Sequence, residues 1–259
     1  MLEQVPVWFL VIILIAVVVA AVQAGIYLAH RSIASSKNKE HSKEAVGAVS
    51  GALLGLLAFM LALTFSMAAG RREARRSLLL DEVNSIGTTY LRSGLIPERQ
   101  RDETRTLLRR YVELRIKAAE DPSQVQTILK ESSTILEKLW TGAESLAEAD
   151  LKNPDIVSLY VDSLNETIDL QTSRITVARY RIPPVVWFTF GSLTILSSLT
   201  VGYNFGLQST RRHRLMTAIL AISFASVTFL ILDLDHGNHG WLKVDQTPMY
   251  ELREQLATP

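Results

Sequence analysis

Cysteine is absent from the 259-residue chain, so no disulfide can staple the fold and no thiolate can act as nucleophile or metal ligand. Charge is missing too, in four places: none of the 27 Lys+Arg or 26 Asp+Glu falls within residues 5–29, 47–69, 185–207 or 215–232. The averages of 48% hydrophobic and 20% charged residues therefore mix segments suited to a bilayer with segments suited to water. That split excludes a single soluble globular domain. The formal net charge of +1 supplies no basic surface for nucleic acid, which is not expected as a partner. Residues 71–182 contain no His and no Cys, and the chain has no GxxxxGK[ST], no GxGxxG and no HExxH. Neither an enzyme nor a bound cofactor is expected on that inventory.

The four uncharged stretches hold 25, 23, 23 and 18 residues, against the ~20 helical residues that cross a hydrocarbon core. Val17-Val18-Val19 would favour a strand in water, but in lipid only a helix satisfies its own backbone. Trp8 and Trp187 lie near the starts of two spans, where amphipathic rings prefer the interface, and Pro183-Pro184 suits a helix start. Val22-Gln23-Ala24 resembles a signal-peptide cleavage site. Glu3 is the sole charged side chain before Arg31, however, and the apolar run is longer than a signal peptide needs, so residues 5–29 read as a span.

Between the second and third spans, apolar residues recur at three- and four-residue spacing, as in Leu107, Leu108, Tyr111 and Leu114. Breaks at Ser93-Gly94 with Pro97, at Asp121-Pro122 and at Asn153-Pro154 divide the stretch into helices near 71–92, 97–119, 123–149 and 155–181. The expected fold is all-α and polytopic. A transmembrane hairpin (1–70) is followed by a water-exposed helical-bundle insert (71–182), a second hairpin (183–232) and a C-terminal tail (233–259). Within the tail, Trp241 to Asp245 and Tyr250 to Leu252 read as a short strand or an interfacial segment.

Orientation follows from basic residues in short loops. Arg31, Lys37, Lys39 and Lys43 between spans one and two, with Arg211, Arg212 and Arg214 between spans three and four, mark one side as cytoplasmic. Insert and termini are then extracytoplasmic. Arg71, Arg72, Arg75 and Arg76 argue the other way.

The second span carries the most specific pattern. Gly47, Gly51, Gly55, Ala58 and Ala62 form a small-residue stripe that allows close helix approach. Opposite lie Leu53, Leu57, Met60, Thr64, Met67 and Arg71, a face that either lines an ion path or meets lipid or another span. In the insert, Asp81, Ser85, Thr88 and Arg92 share one helix face and read as a solvated or inter-helix polar surface ahead of a binding site. Asp233, Asp235, His236 and His239 follow the fourth span. They offer oxygen and imidazole ligands, but the flanking glycines fix no geometry, and a turn into water is the simpler reading.

Along nearly its whole length the chain resembles the uncharacterised bacterial bestrophin-like four-span membrane proteins. The residues that carry the resemblance are Gly51 to Phe59, Ala74-Arg75-Arg76, Asp81 to Thr88, Tyr90-Leu91-Arg92, Ser163 to Glu166, Ile182 to Trp187 and Leu232 to Asp235. His236-Gly237 departs from the Arg-Pro usual there. The resemblance implies a bacterial inner-membrane protein. By analogy with true bestrophins, it also implies an oligomeric anion channel with a pore along its second span. Membrane lipid, further copies of the chain and small ions are the implied partners. The competing expectation is a non-conducting sensor or accessory protein whose insert binds a ligand or partner.

Overall fold

The computed structural model describes residues 7–33, 39–148, 154–208, 213–236 and 243–257. Among these there is no strand, and eight α-helices follow in order: α1 (Val7–Ile33), α2 (Lys39–Arg92), α3 (Glu98–Glu120), α4 (Val125–Glu148), α5 (Pro154–Arg179), α6 (Pro184–Gln208), α7 (His213–His236) and α8 (Thr247–Ala257). Short 3-10 turns precede α3 and α4. α1, α2, α6 and α7 contain the runs long and apolar enough to cross a membrane. The chain is an all-α, polytopic membrane protein.

Two compact units divide it, one made of residues 1–70 and 181–242, the other of 71–180 and 243–259. α2 is continuous through residue 70 and so contributes to both.

In the first unit, α1 packs on α6 because both helices lack side chains where they cross. A Cβ added at Gly202 would lie 2.7 Å from the backbone Cα and C of Val22. One at Gly25 would lie 2.6 Å from Tyr203 N, and one at Gly206 would lie 2.5 Å from Ala29 Cβ. Backbones this close gain dispersion contacts along their length, which is how helices associate where lipid removes the hydrophobic drive. Val18, Val22 and Ala29 are fully buried beside the crossing. A second cluster gathers Leu57, Leu61 and Ala68 of α2 with Phe190 of α6 and Ile231 and Leu234 of α7.

The second unit is a water-type helical bundle. Leu79, Ile86, Leu108, Tyr111, Val112, Leu139, Leu146, Tyr160 and Leu164 form one buried core from α2, α3, α4 and α5. Asp121 ends α3 and starts the next turn, its carboxylate accepting from the Ser123 N–H at 3.0 Å while Pro122 takes the first position. This is the capping chemistry expected where helix N-termini leave N–H groups unpaired.

The C-terminal segment belongs to this bundle. Tyr250 to Leu252, read from sequence as strand or interface, instead form part of α8. Met249, Leu252 and Leu256 recur at helical spacing and are buried in the bundle core. The Asp245 carboxylate accepts from the Thr247 N–H at 3.0 Å as the helix begins. Arg109 Nε donates to Leu256 O at 2.7 Å where it ends, and the Tyr250 hydroxyl donates to Glu120 at 2.8 Å. Trp241 lies outside the described residues.

Candidate functional site

α2 places its two expected faces differently within the single chain. On the small-residue stripe, Gly51, Gly55, Ala58 and Ala62 are exposed and Gly47 is half-buried. A Cβ at Gly51 or Gly55 would meet nothing within 4 Å. On the opposite face, Leu57 has no exposure and Thr64 1%. The Thr64 hydroxyl is spent on Met60 O at 2.6 Å. Leu53 and Met60 are half-buried, and Leu53 O accepts from Ser197 Oγ of α6 at 3.3 Å. Met67 is exposed and Arg71 half-buried. Leu57 packs with Phe190 of α6 and Ile231 of α7, and Thr64 is buried. Both are shielded from solvent within the single chain.

Asp233 and Asp235 are 3% and 4% exposed at the end of α7, and Asp235 Oδ2 accepts from the Ile182 N–H at 3.5 Å. The turn into water expected after the fourth span therefore does not begin at these two acids. His236 ends α7 in its backbone, and His239 lies outside the described residues. Among the described residues no group of three or more His, Cys, Asp or Glu side chains gathers as metal ligands would.

The polar face of the insert is turned by one residue from its expected register. Asp81 is exposed, Thr88 half-buried and Arg92 half-buried with Nη1 on Leu159 O at 2.6 Å; only Ser85 of the four is buried. The polar groups buried within the insert here are Glu82, Ser85 and Thr89 of α2 and Ser93 of the turn that follows it. Opposite them α5 buries Tyr160, Ser163, Thr167 and Gln171. Ser85 Oγ and Thr167 Oγ1 are 2.8 Å apart, and Thr89 Oγ1 is 3.2 Å from Thr167 Oγ1. Paired hydroxyls of this kind satisfy polar groups inside an otherwise apolar core.

At one end of that polar seam is a cluster of charges that sequence reading did not single out. Glu82 is fully buried. The Tyr111 hydroxyl of α3 donates to its Oε1 at 2.6 Å, and Arg174 of α5 donates Nη1 to its Oε2. Arg115 of α3, 8% exposed, places Nε 3.2 Å from Glu82 Oε1 without the alignment of a hydrogen bond. Its guanidinium carbon lies 5.9 Å from the Tyr111 ring centroid. Burial pushes the Glu82 carboxyl upward, but the Arg115 and Arg174 charges and the two donated hydrogen bonds outweigh it and hold the carboxyl below its ordinary value. Burial and the Glu82 charge push the Tyr111 phenol well above its own. The arrangement is a fixed carboxylate, a neutral phenol and two cations.

A family model described as a bestrophin-like domain matches residues 16–249. No curated protein matches the chain in sequence. Among solved structures, a variant of a bacterial bestrophin homologue from Klebsiella pneumoniae superposes with a TM-score of 0.71 at 12% identity, covering 96% of this chain and 97% of the other. Another crystal structure of the Klebsiella homologue gives 0.63 at 12% identity, covering 97% of each chain. A structure described as that of a membrane protein gives 0.70 at 14%, covering 96% and 97%. These likenesses carry the fold.

Proposed function

Because the chain belongs to the bestrophin-like family, we propose that it is a homo-oligomeric, channel-like protein of the bacterial inner membrane that passes small ions along α2, anions favoured. The observation that carries this reading is the exposed small-residue face of α2. Gly51 and Gly55 have no atom within 4 Å of a would-be Cβ, although Gly25, Gly202 and Gly206 of the same unit are closed against a neighbouring helix. A face shaped for close approach, and without a partner in its own chain, suits the α2 region of another copy. Repetition around a closed ring would bring the α2 helices to the axis. Leu53, Met60 and Met67 then stand nearest the path, and Arg71 forms a ring of cations at one mouth that favours anions. No catalytic step belongs to this reading, and lipid, other copies and the ions are its partners.

The basic residues of the short loops favour an orientation with the insert and both termini outside. Cysteines introduced singly at Ser123 and Ser35 of this Cys-free chain should label from outside at the first position and from the cytoplasm at the second. The reverse pattern inverts the orientation. Purified oligomer in liposomes should pass chloride, and Arg71→Glu should reduce that flux or shift it toward cations while assembly persists. Well-formed oligomers that pass no anion or cation would replace the channel with the accessory-protein reading.

A further inference from the structure

Between α3 and α4 of the insert lies a cavity of about 220 Å³. It is smaller than the ~300–1,000 Å³ typical of pockets for drug-sized molecules, which limits an occupant to the size of a free amino acid. Leu107, Leu139 and Leu146 give it an apolar floor, and the last two are buried. Gly142 leaves its wall open, since a Cβ there would meet nothing within 4 Å. Glycine weakens a helix interior. With no neighbour that demands one at this position, what Gly142 supplies is room.

The polar lining is unspent. Arg99, Glu103 and Lys138 border the cavity from exposed positions. None of the three forms an ion pair among the described residues, although Arg101 is held by Glu98 and Asp102 in the same turn of α3. On the floor, buried Thr104 shares a hydrogen bond with the Tyr160 hydroxyl at 3.0 Å. Thr106 returns its proton to Asp102 O at 2.8 Å, but Thr104 makes no such bond to its own helix. Two hydroxyl protons and one shared bond leave one proton without an acceptor among the described residues.

The order of charges along the groove follows from chain direction. The short turn Pro122–Gln124 joins α3 to α4, so the two helices run antiparallel and their lining residues meet in reverse order. Arg99 comes to one end with Leu146, Glu103 to the middle across from Gly142, and Lys138 to the other end beside Leu107. Positive, negative and positive groups thus follow one another over about 12 Å of helix, a span that long side chains close from both ends.

We propose that this cavity binds a free amino acid with an acidic side chain. Its α-carboxylate meets Arg99 and the spare Thr104 or Tyr160 proton, its ammonium meets Glu103, its side-chain carboxylate meets Lys138, and its methylenes lie on the leucines. The charges of such a ligand alternate in the order opposite to that of the groove. A cationic amino acid would set like charge against Lys138, and a plain dicarboxylate would offer Glu103 no partner. Every lining residue belongs to the second unit, so the site stands whether or not the protein conducts ions.

The test is isothermal titration calorimetry on the purified full chain. L-glutamate should give one saturable site per chain. Glutarate, which lacks the ammonium, and L-lysine should each bind about tenfold more weakly or worse, the worth of one charge-assisted contact. Glu103→Gln should bring glutamate and glutarate to similar affinity, and Lys138→Glu should reverse the preference from glutamate to lysine. Gly142→Leu should fill the cavity and abolish binding while circular dichroism keeps its helical signal. If that variant unfolds, the exposed Lys138→Glu change still decides the matter. No saturable heat from L-glutamate or L-aspartate would overturn the proposal. So would glutarate binding the wild-type chain as tightly as glutamate, glutamate binding that survives in a folded Gly142→Leu chain, or a preference that Lys138→Glu leaves unchanged.

Discussion

Gly202→Ala adds one methyl group to a membrane helix, and the structure says it should be among the most damaging single-methyl changes in the chain. The new Cβ would lie 2.7 Å from Val22 Cα and C, where relaxed carbon–carbon contacts are about 3.5–4.0 Å. The obstacle is backbone on the facing helix, so no rotamer change relieves it. α1 and α6 must part by about 1 Å, and a gap of that size forfeits roughly a quarter to a half of each contact's dispersion energy. The loss is shared by Val18, Val22 and Ala29, all fully buried along the crossing. Overpacking typically costs about 1–3 kcal/mol, and an immovable obstacle puts this case near 3 kcal/mol. Gly55→Ala is the control, because its Cβ meets nothing within 4 Å and its effect on the single chain should stay within about 0.5 kcal/mol. Denaturant unfolding of purified protein in detergent, read by fluorescence of Trp8 on α1 and Trp187 on α6, would compare the two. A Gly202→Ala chain as stable as Gly55→Ala would refute the close crossing.

Gly55→Leu should leave that unfolding nearly unchanged while lowering oligomer stability, measured by cross-linking or native mass spectrometry across a dilution series. An unaltered oligomer would move the contact off the stripe. Acid should loosen the insert through Glu82. Its carboxyl is held below the ordinary value in the fold, so its contribution is fully present above the unfolded pKa of about 4.3 and is lost as pH falls through the lower folded value. Tyr111, raised in the fold, contributes below about pH 10 and loses that contribution above it. Circular dichroism against pH should therefore show a plateau between those limits. Glu82→Gln at neutral pH should cost about 3–5 kcal/mol, the range for breaking a buried ion pair, and a loss under 1 kcal/mol would mean the pair is not buried in solution.

The bilayer architecture was legible because its signal is a matter of solvent. A stretch without charge and about 20 residues long has few other fates, and α1, α2, α6 and α7 fall where the uncharged stretches lie. The insert helices were legible from their breakers, since Pro97, Pro122 and Pro154 each stand at or beside an observed helix start. The tail was not. Met249, Leu252 and Leu256 have helical spacing, but three apolar residues in an 11-residue helix are a weak periodic signal. What fixes that helix is a receiving core built from residues more than a hundred positions earlier, with Arg109 and Glu120 at its two ends.

Spacing alone also could not decide which small-residue stripe packs within the chain. Ser198, Gly202 and Gly206 on α6 follow the same four-residue rule as Gly47, Gly51 and Gly55 on α2. The difference lies in the opposing helix: α1 offers Gly25 and Ala29 where α6 is bare, whereas α2 meets Phe190 and Ile231 through leucines on its other face. A motif states that a helix can be approached closely, and only the partner's surface says by what.

The charge cluster shows where a stricter reading of one helix would have succeeded. Asp81 and Glu82 are neighbours in sequence, and one residue is about 100° of helix rotation. Glu82 stands three residues after Leu79 and four before Ile86, which are both core residues, so it shares their face and Asp81 does not. A carboxylate placed on the apolar side of a bundle helix must find cations there or stay protonated. Arg115, one turn beyond Tyr111 on the core face of α3, is the first place to look. Arg174 is the next, three residues after the buried Gln171. The carboxylate held between two guanidiniums then follows from helix geometry, with no motif to announce it.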